Sequence, residues 1–302
     1  MDKPLISVVI PTFRRPHLIQ RAVTSALSQT FDNIEVVVVI DGVDDGTRAM
    51  VDALGDPRTK VVETGNNQGP ACARNYGVRN ATGYYIALLD DDDEWTPNKL
   101  TVQLRLIDDK QLIGEFLVSS RGISKTLQSE CVYPDRILQP DEDFSEYLLG
   151  RRLFRRNGVS SGTLLFPRSL AVRIPFPNDT VMEDYGWLLL CAMGEGTPVF
   201  MCPEPLFIYH QAPVSRNTAM NWHLCLEWVN RYHEHMSGRA MASLLASTIA
   251  WRAKRQGGYR AFRVIARTMM RKSRPQLLHW LMLGGIALLP VNVAERLRHL
   301  RP

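Results

Sequence analysis

The chain has 302 residues, of which 45% are hydrophobic and 22% charged, a balance that excludes long disorder and leaves apolar material for one large core or two modest ones. Its five cysteines, Cys72, Cys131, Cys191, Cys202 and Cys225, are odd in number and form no CxxC pair. Neither a disulfide framework nor a zinc site is expected, and free thiols in a reducing cytosol fit better. Residues 251–302 hold twelve Lys or Arg against one acid, Glu295, so this tail is about +11 and the first 250 residues, by difference from a total of +5, about −6. A basic tail on an acidic body favours an anionic surface as partner, membrane before nucleic acid. The start, Met1-Asp2-Lys3-Pro4, lacks the charged-then-apolar pattern of an export signal.

From Ile6 to Ile10 the sequence predicts a short buried strand, closed by Pro11-Thr12-Phe13-Arg14-Arg15-Pro16. Leu18, Ile19, Ala22, Val23, Ala26 and Leu27 then repeat at helical spacing. A second unit follows: β-branched Ile34 to Ile40, the turn cluster Asp41 to Gly46, and a short helix from Thr47 to Leu54. Val61-Val62-Glu63 opens a third, with the loop Gly65 to Gly69 and a helix from Pro70 to about Arg79, proline being well suited to a first helical position. The fourth strand, Tyr84 to Asp90, runs into five consecutive acids, Asp90 to Glu94. Strands separated by helices predict a parallel doubly wound sheet, whose ligands bind at the carboxyl ends of the strands.

Adjacent carboxylates raise one another's pKa values unless hydrogen bonds or a cation compensate. An oxygen-only ligand set at a strand end suits Mg²⁺ or Mn²⁺ shared with substrate phosphates. The alternative is a solvated acidic turn capping the helix that starts near Pro97. A calcium loop is a weaker reading, since the Gly and Glu of its sixth and twelfth positions are missing, and neither GxGxxG nor GxxxxGK[ST] is present. The other loops on this edge offer an aromatic, Phe13, an isolated carboxylate, Asp41, and Arg74 in the first turn of a helix built on small residues. Helix amides and a guanidinium suit a diphosphate.

Beyond a helix from Leu100 to Ile107, short strands are expected at 113–120 and 129–133, and another at 160–166 whose small polar head, Ser161-Gly162, could meet a second substrate or a phosphate. Glu183 and Asp184 open an apolar helix and either complement its dipole or supply a general base. His210, ending the strand 206–209, with Ser215 and Arg216 from the next loop, could add a phosphate contact; His233-Glu234-His235 lacks the HExxH spacing. From about Ala219 only helices are expected. Arg260, Arg263, Arg267, Arg271 and Arg274 share one helical face, and the apolar stretch Leu277 to Pro290 is too short to span a bilayer. Interfacial binding fits this pair; the alternative is packing on the core or on a second copy of the chain in a homo-oligomer.

Taken together, the loops resemble the family 2 glycosyltransferases over about residues 5–215. The residues that carry the resemblance are Val8 to Arg15, Asp41 to Thr47, Asn66 to Asn75, Leu89 to Asp93, and Glu183-Asp184-Tyr185. The resemblance implies an α/β GT-A fold, a Rossmann-like, mostly parallel sheet flanked by helices. It implies a catalytic domain over 1–215, with a nucleotide-binding half to about 110 and an acceptor half after it, followed by a basic helical region, 216–302. It implies metal-dependent, inverting transfer of a sugar from a nucleotide-diphosphate donor, a UDP-sugar first, to a glycan or lipid-linked acceptor, with Mn²⁺ or Mg²⁺ as cofactor. By position, Asp90, Asp91 and Asp92 resemble the DxD motif, Asp92 the direct metal ligand with Asp90, and Asp90 or Asp91 nearer the ribose. Pro11, Thr12, Phe13, Arg14 and Asp41 resemble the nucleoside pocket, and Arg74 the residue beside the diphosphate or base. Asp184 is similar to the family's base, with Glu183 its neighbour. Ile40 departs from the pattern, since many relatives carry an Asp there, and this bears on base preference rather than fold. The expected place of work is the cytoplasm or the inner membrane face, without nucleic acid. Two other readings are a non-catalytic binding protein on the same fold and a nucleotidyltransferase, whose basic glycine-rich first loop is replaced here by Pro11-Thr12-Phe13.

Overall fold

The structure is a computed structural model that describes residues 4–125, 130–150, 157–210 and 221–288. In chain order its strands are β1 (Ile6–Thr12), β2 (Ile34–Ile40), β3 (Thr59–Glu63), β4 (Tyr85–Leu88), β5 (Glu94–Trp95), β6 (Leu117–Lys125), β7 (Glu130–Tyr133), β8 (Leu165–Pro167) and β9 (Val199–His210). The α-helices are α1 (Pro16–Leu27), α2 (Asp45–Asp52), α3 (Pro70–Asn80), α4 (Lys99–Asp109), α5 (Phe144–Leu149), α6 (Arg168–Arg173), α7 (Glu183–Leu189), α8 (Trp222–Tyr232), α9 (Gly238–Leu244), α10 (Ala250–Gln256), α11 (Gly258–Lys272) and α12 (Leu277–Leu288).

Two compact units emerge, one from residues 1–137, 159–178 and 195–212, the other from 138–158, 179–194 and 213–302. A boundary near residue 215 separates most of them, but the stretches around α5 and α7 join the C-terminal helices rather than the sheet.

The first unit holds a single sheet in the order β3-β2-β1-β4-β8-β6-β9-β5, with β7 paired to β6. Its first four strands are parallel. β1 and β2 are nearly continuous buried Val and Ile, as strands covered on both faces must be, and each such side chain contributes about 1.5–3 kcal/mol over exposure. α1 lays Ile19, Ala22, Val23 and Ala26 on one face of the sheet, the spacing of a single helical stripe. α3 comes so close on the other face that a Cβ on Gly77 would meet the side chains of Val9 and Val39.

Beyond β4 the sheet becomes mixed: β8 runs antiparallel to both β4 and β6, and β5 antiparallel to β9, while β6 and β9 pair in parallel. The strand expected over 84–90 is shorter, ending at Leu88, so Asp90 to Asp93 stand clear of the ladder, while Glu94 opens β5 and pairs with Ile208. The strand expected at 113–120 starts only at Leu117; Ile113 is 93% exposed and Gly114 takes φ +81°. Residues 160–166 are not one strand: Ser161–Thr163 is a 3₁₀ turn, with Thr163 N donating to Ser160 O and Thr163 Oγ1 to the same carbonyl. Hydroxyl side chains that bond nearby backbone offer a turn in place of a ladder.

In the second unit, α11 buries Ala261, Phe262, Ile265 and Met269 and turns Arg260, Arg263, Arg267 and Arg271 outward. The expected stripe loses Arg274, because α11 ends at Lys272; Arg274 precedes Pro275, and a residue before proline is pushed out of helical geometry. α12 buries His279, Leu283 and Ile286, while Leu277, Leu281 and Leu288 on its opposite side are 75%, 63% and 87% exposed. Among the described residues no helix is long and apolar enough to cross a membrane. His233–His235 form a short 3₁₀ turn. All five cysteines are free.

Candidate active site

Strand order 3-2-1-4 makes the gap between β1 and β4 the point where the chain reverses its direction of winding, and crevices for ligands open at such points. Thr12 ends β1 and the acids follow β4. Thr12 Oγ1 donates to Asp91 Oδ2 at 2.7 Å, tying the two strand ends together.

The acid run is gathered by cations and hydroxyls of the same unit. Arg15 Nη1 donates to Asp91 Oδ1 and to Asp92 Oδ2, both at 3.1 Å. Arg21, from α1, donates to the Asp92 carbonyl. Arg74 Nη2 donates to Asp90 Oδ1 at 2.9 Å, and Ser161 Oγ to Asp90 Oδ2 at 3.0 Å. Asp93 is turned inward and accepts from His210 N at 3.0 Å, while the His210 ring pairs with Glu94 at 2.9 Å. Burial raises the Asp91 pKa despite Thr12 and Arg15. Burial, with the charges of Asp90 and Asp92 added, pushes Asp93 up to about 9. The run thus splits into inward carboxyls, Asp91 and Asp93, and more open ones, Asp90 and Asp92, whose side chains are 31% and 26% exposed.

At the end of β2, Asp41 is buried and held differently. Its Oδ1 accepts from Gln68 N at 2.8 Å and from Thr64 Oγ1 at 3.1 Å, and its Oδ2 accepts from Gly69 N at 2.8 Å. The loops after β2 and β3 are thereby joined beside Phe13, which is exposed.

The structure brings together Pro11, Thr12, Asp90, Asp91, Asp92, Arg74 and Ser161 around the β1–β4 gap. Asp41 knits the neighbouring loop pair. Arg14, placed by resemblance in the nucleoside pocket, has φ +53° and lies over the Phe13 ring at 5.2 Å; its neighbour Arg15 makes the carboxylate contacts. The left-handed turn at Arg14 exchanges the directions of the two side chains, and the sequence carries no mark of it. His210 is occupied by Glu94, an adjacent-strand partner. Gly162 lies in the 3₁₀ turn, and Arg216 lies outside the described residues. Glu183 and Asp184 stand in the first turn of α7, in the second unit, after Met182 in the left-handed region at φ +51°. Asp184 Oδ1 accepts from Tyr185 N at 2.9 Å.

A divalent cation fits the chemistry of the run. Asp90 and Asp92 offer hard oxygen ligands two residues apart. Mg²⁺ and its relatives commonly take one or two protein carboxylates and complete the shell with substrate phosphate and water; among the described residues no three His, Cys, Asp or Glu side chains converge on one point.

Comparison with known proteins shows what the chain is similar to. The family model for glycosyl transferase family 2 matches residues 7–160. The UDP-Glc:alpha-D-GlcNAc-diphosphoundecaprenol beta-1,3-glucosyltransferase WfgD of Escherichia coli is 29% identical over 190 residues, 62% of this chain and 70% of that protein. An uncharacterized glycosyltransferase of Haemophilus influenzae is 36% identical over 193 residues, 63% of this chain and 73% of that one. Among solved structures, S. aureus TarS in complex with UDP-GlcNAc aligns with a TM-score of 0.62 at 14% identity, covering 90% of this chain and 93% of that chain. The mannosyltransferase PcManGT from Pyrobaculum calidifontis, in complex with GDP-Man and Mn²⁺, aligns at 0.54 and 19% identity, over 99% and 80%. At these identities the structural likeness is one of fold.

Proposed function

The chain belongs to glycosyl transferase family 2, is a glycosyltransferase with a GT-A fold, and from that premise we propose that it moves one sugar from a UDP-sugar to a lipid-linked saccharide, with inversion at the anomeric carbon. The observation that carries the reading is the acid run held at the β1–β4 gap by Thr12, Arg15, Arg74 and Ser161. The donor class has support from the UDP-GlcNAc in TarS, and the acceptor class from the diphosphoundecaprenol in the name of the E. coli relative.

In this reading Phe13, Pro11 and Asp41 border the nucleoside, and Asp90 and Asp91 lie on the ribose side. Asp92 and Asp90 hold Mn²⁺ or Mg²⁺, which, when bound, supplies Lewis-acid stabilisation to the leaving diphosphate. Arg15 and Arg74 fix the carboxylates: each guanidinium bonds an acid whose neighbours repel it, so the run stays ordered before the donor arrives. Asp184 accepts the proton of the acceptor hydroxyl, with Glu183 beside it. The hydroxyl oxygen bonds to the anomeric carbon as the bond from that carbon to the phosphate oxygen breaks. The nucleoside diphosphate departs with the electron pair, and one displacement inverts the centre. A positioned carboxylate base contributes typically ~10²–10⁴-fold.

The test is calorimetric titration with UDP, GDP and dTDP, each with and without Mn²⁺, on the wild type and on Asp184→Asn, together with transfer to a polyprenyl-diphosphate GlcNAc. Both proteins should bind UDP with metal at equal affinity, and transfer should fall roughly 10²–10⁴-fold in the variant. No metal-dependent nucleotide binding, or near-normal transfer by Asp184→Asn, would overturn the donor site or the base respectively.

The second unit supports a site of work on an anionic leaflet. α12 presents leucines to solvent on one side and packs on the unit with the other, and the outer face of α11 is arginine. Interfacial helices combine these features, and each Lys or Arg near an anionic surface is worth ~1 kcal/mol. Leu281→Ser with Leu288→Ser should reduce flotation with phosphatidylglycerol vesicles while leaving nucleotide affinity unchanged. Undiminished flotation would assign the leucine face to another partner, such as a second copy of the chain.

A further inference from the structure

Five residues after Asp90, the chain returns beneath its own acid run and grips the turn that touches it. Trp95, in β5, is 2% exposed, and its Nε1 donates to the Gly162 carbonyl at 2.7 Å. Gln103, one turn into α4 and fully buried, donates from Nε2 to the next carbonyl, Thr163 O, at 2.8 Å, and to Val118 O at 3.3 Å. Its Oε1 accepts from Lys99 Nζ at 2.7 Å, which fixes the sense of the amide, and that Nζ lies 4.0 Å from the centroid of the Trp95 ring. The Thr163 hydroxyl is bonded to Ser119 Oγ at 2.8 Å. The turn is also wedged from below, since a Cβ on Gly162 would come within 3.0 Å of Phe207 Cζ.

Two successive carbonyls of a three-residue turn are therefore taken by buried side chains that follow the acid run in sequence. The first residue of the turn, Ser161, sends its hydroxyl to Asp90 Oδ2, opposite Arg74 on Oδ1. The path Asp90, Trp95, Gly162, Ser161, Asp90 closes a ring of covalent chain and hydrogen bonds. A carboxylate rotates about its terminal torsion in a broad, nearly two-fold well, and a donor on each oxygen is what selects one orientation.

We propose that Trp95 and Gln103 are positioning residues for donor binding: by locking the Ser161–Thr163 turn they hold the Ser161 hydroxyl against Asp90 and set the plane of that carboxylate for the nucleotide and its cation. The claim rests on the reading of Asp90 as part of the donor site. It concerns residues that touch neither substrate nor metal, and it explains why a core tryptophan carries its N–H to a loop carbonyl rather than to solvent.

The experiment is a double-mutant cycle between Trp95→Phe, which keeps a ring over Lys99 but removes the donor, and Ser161→Ala, with Gln103→Met as a second entry to the same turn. The readout is Mn²⁺-dependent UDP affinity by calorimetry. A hydrogen bond to a charged group is worth enough for Ser161→Ala to weaken binding roughly tenfold, and Trp95→Phe should approach that loss. In the Ser161→Ala background Trp95→Phe should add almost nothing, because its effect travels through Ser161. Wild-type affinity in Trp95→Phe, or effects that add in full, would overturn the proposal. A crystal structure of Trp95→Phe reads the positioning without any nucleotide. Ser161 Oγ should leave hydrogen-bonding distance of Asp90 Oδ2, and an unchanged 3.0 Å contact would sink the idea even if the donor assignment stands. Failure of the wild type to bind UDP would strike the donor assignment alone, and the structure of the variant would still decide the positioning.

Discussion

Two strand ends of the same sheet carry buried or half-buried carboxylates and stabilise them by opposite means. At the end of β2, Asp41 accepts from two backbone amides and a threonine hydroxyl, all of them uncharged. At the end of β4, Asp90, Asp91 and Asp92 accept from Arg74 and Arg15 as well as from Thr12 and Ser161. Amides that belong to a loop are local and cannot be exchanged without moving the backbone. A guanidinium on a flexible stem balances charge that a divalent cation can also balance, so the β4 end keeps its oxygens available to an incoming ion. The first arrangement suits a structural joint, the second a site that changes partners.

Substitution at each end should separate these roles. Asp92→Ala should remove the gain in UDP affinity that Mn²⁺ provides, a loss of roughly tenfold or more, and should leave thermal stability close to wild type, because the side chain is partly open and Arg15 retains Asp91. Asp41→Ala should do the reverse. It removes the acceptor of the Gln68 amide and the nearer acceptor of Gly69 N, which keeps Asn67 Oδ1 at 3.2 Å, and an unsatisfied donor costs about 1–3 kcal/mol, so the melting temperature should drop while the ratio of UDP affinities with and without Mn²⁺ stays fixed. Calorimetry and thermal unfolding on the two variants check this. A metal increment that survives in Asp92→Ala, or one that vanishes in Asp41→Ala, would erase the distinction.

How much of this was legible depended on what each element is buried against. β1, β2 and the helices between them read clearly, since a strand covered on both faces is an apolar run and a helix on a sheet shows one stripe. The acid run and Asp41 stood out because charge at the end of such a run has few explanations. β6 and β9 read poorly: they pair across some eighty residues of chain with register shifts near Arg121, and long-range pairing leaves no local trace. Ser160 to Thr163 have the composition of a strand head, but Thr163 Oγ1 bonds the Ser160 carbonyl of its own turn and Ser161 Oγ bonds Asp90. Arg15 was hidden behind Arg14 by a single left-handed φ. The arginines of α11 were legible by spacing up to Arg271, and Pro275 was the available signal that Arg274 leaves the helix. The solvent-facing leucines of α12 were not, because an apolar stretch does not say which of its sides is covered.

A third buried charge completes the contrast. Lys99 is fully buried, and its partners are the Gln103 amide oxygen and the Trp95 ring, neutral groups like those around Asp41 but on the opposite sign of charge. Burial lowers its pKa from 10.5 to about 7. Above about pH 7 the folded chain has released the proton that the unfolded chain keeps until about 10.5. The unfolded state then binds more protons, and stability rises with pH across that window with a slope of up to about 1.4 kcal/mol per unit. Below about 7 both states hold the proton and this group adds no slope. Lys99→Met preserves chain length and removes the titration. The unfolding free energy in urea of wild type minus variant should therefore climb between pH 7 and 10 and lie flat from pH 5 to 7. Parallel curves throughout would mean that the indole face and the Gln103 oxygen keep the ammonium charged in the folded chain.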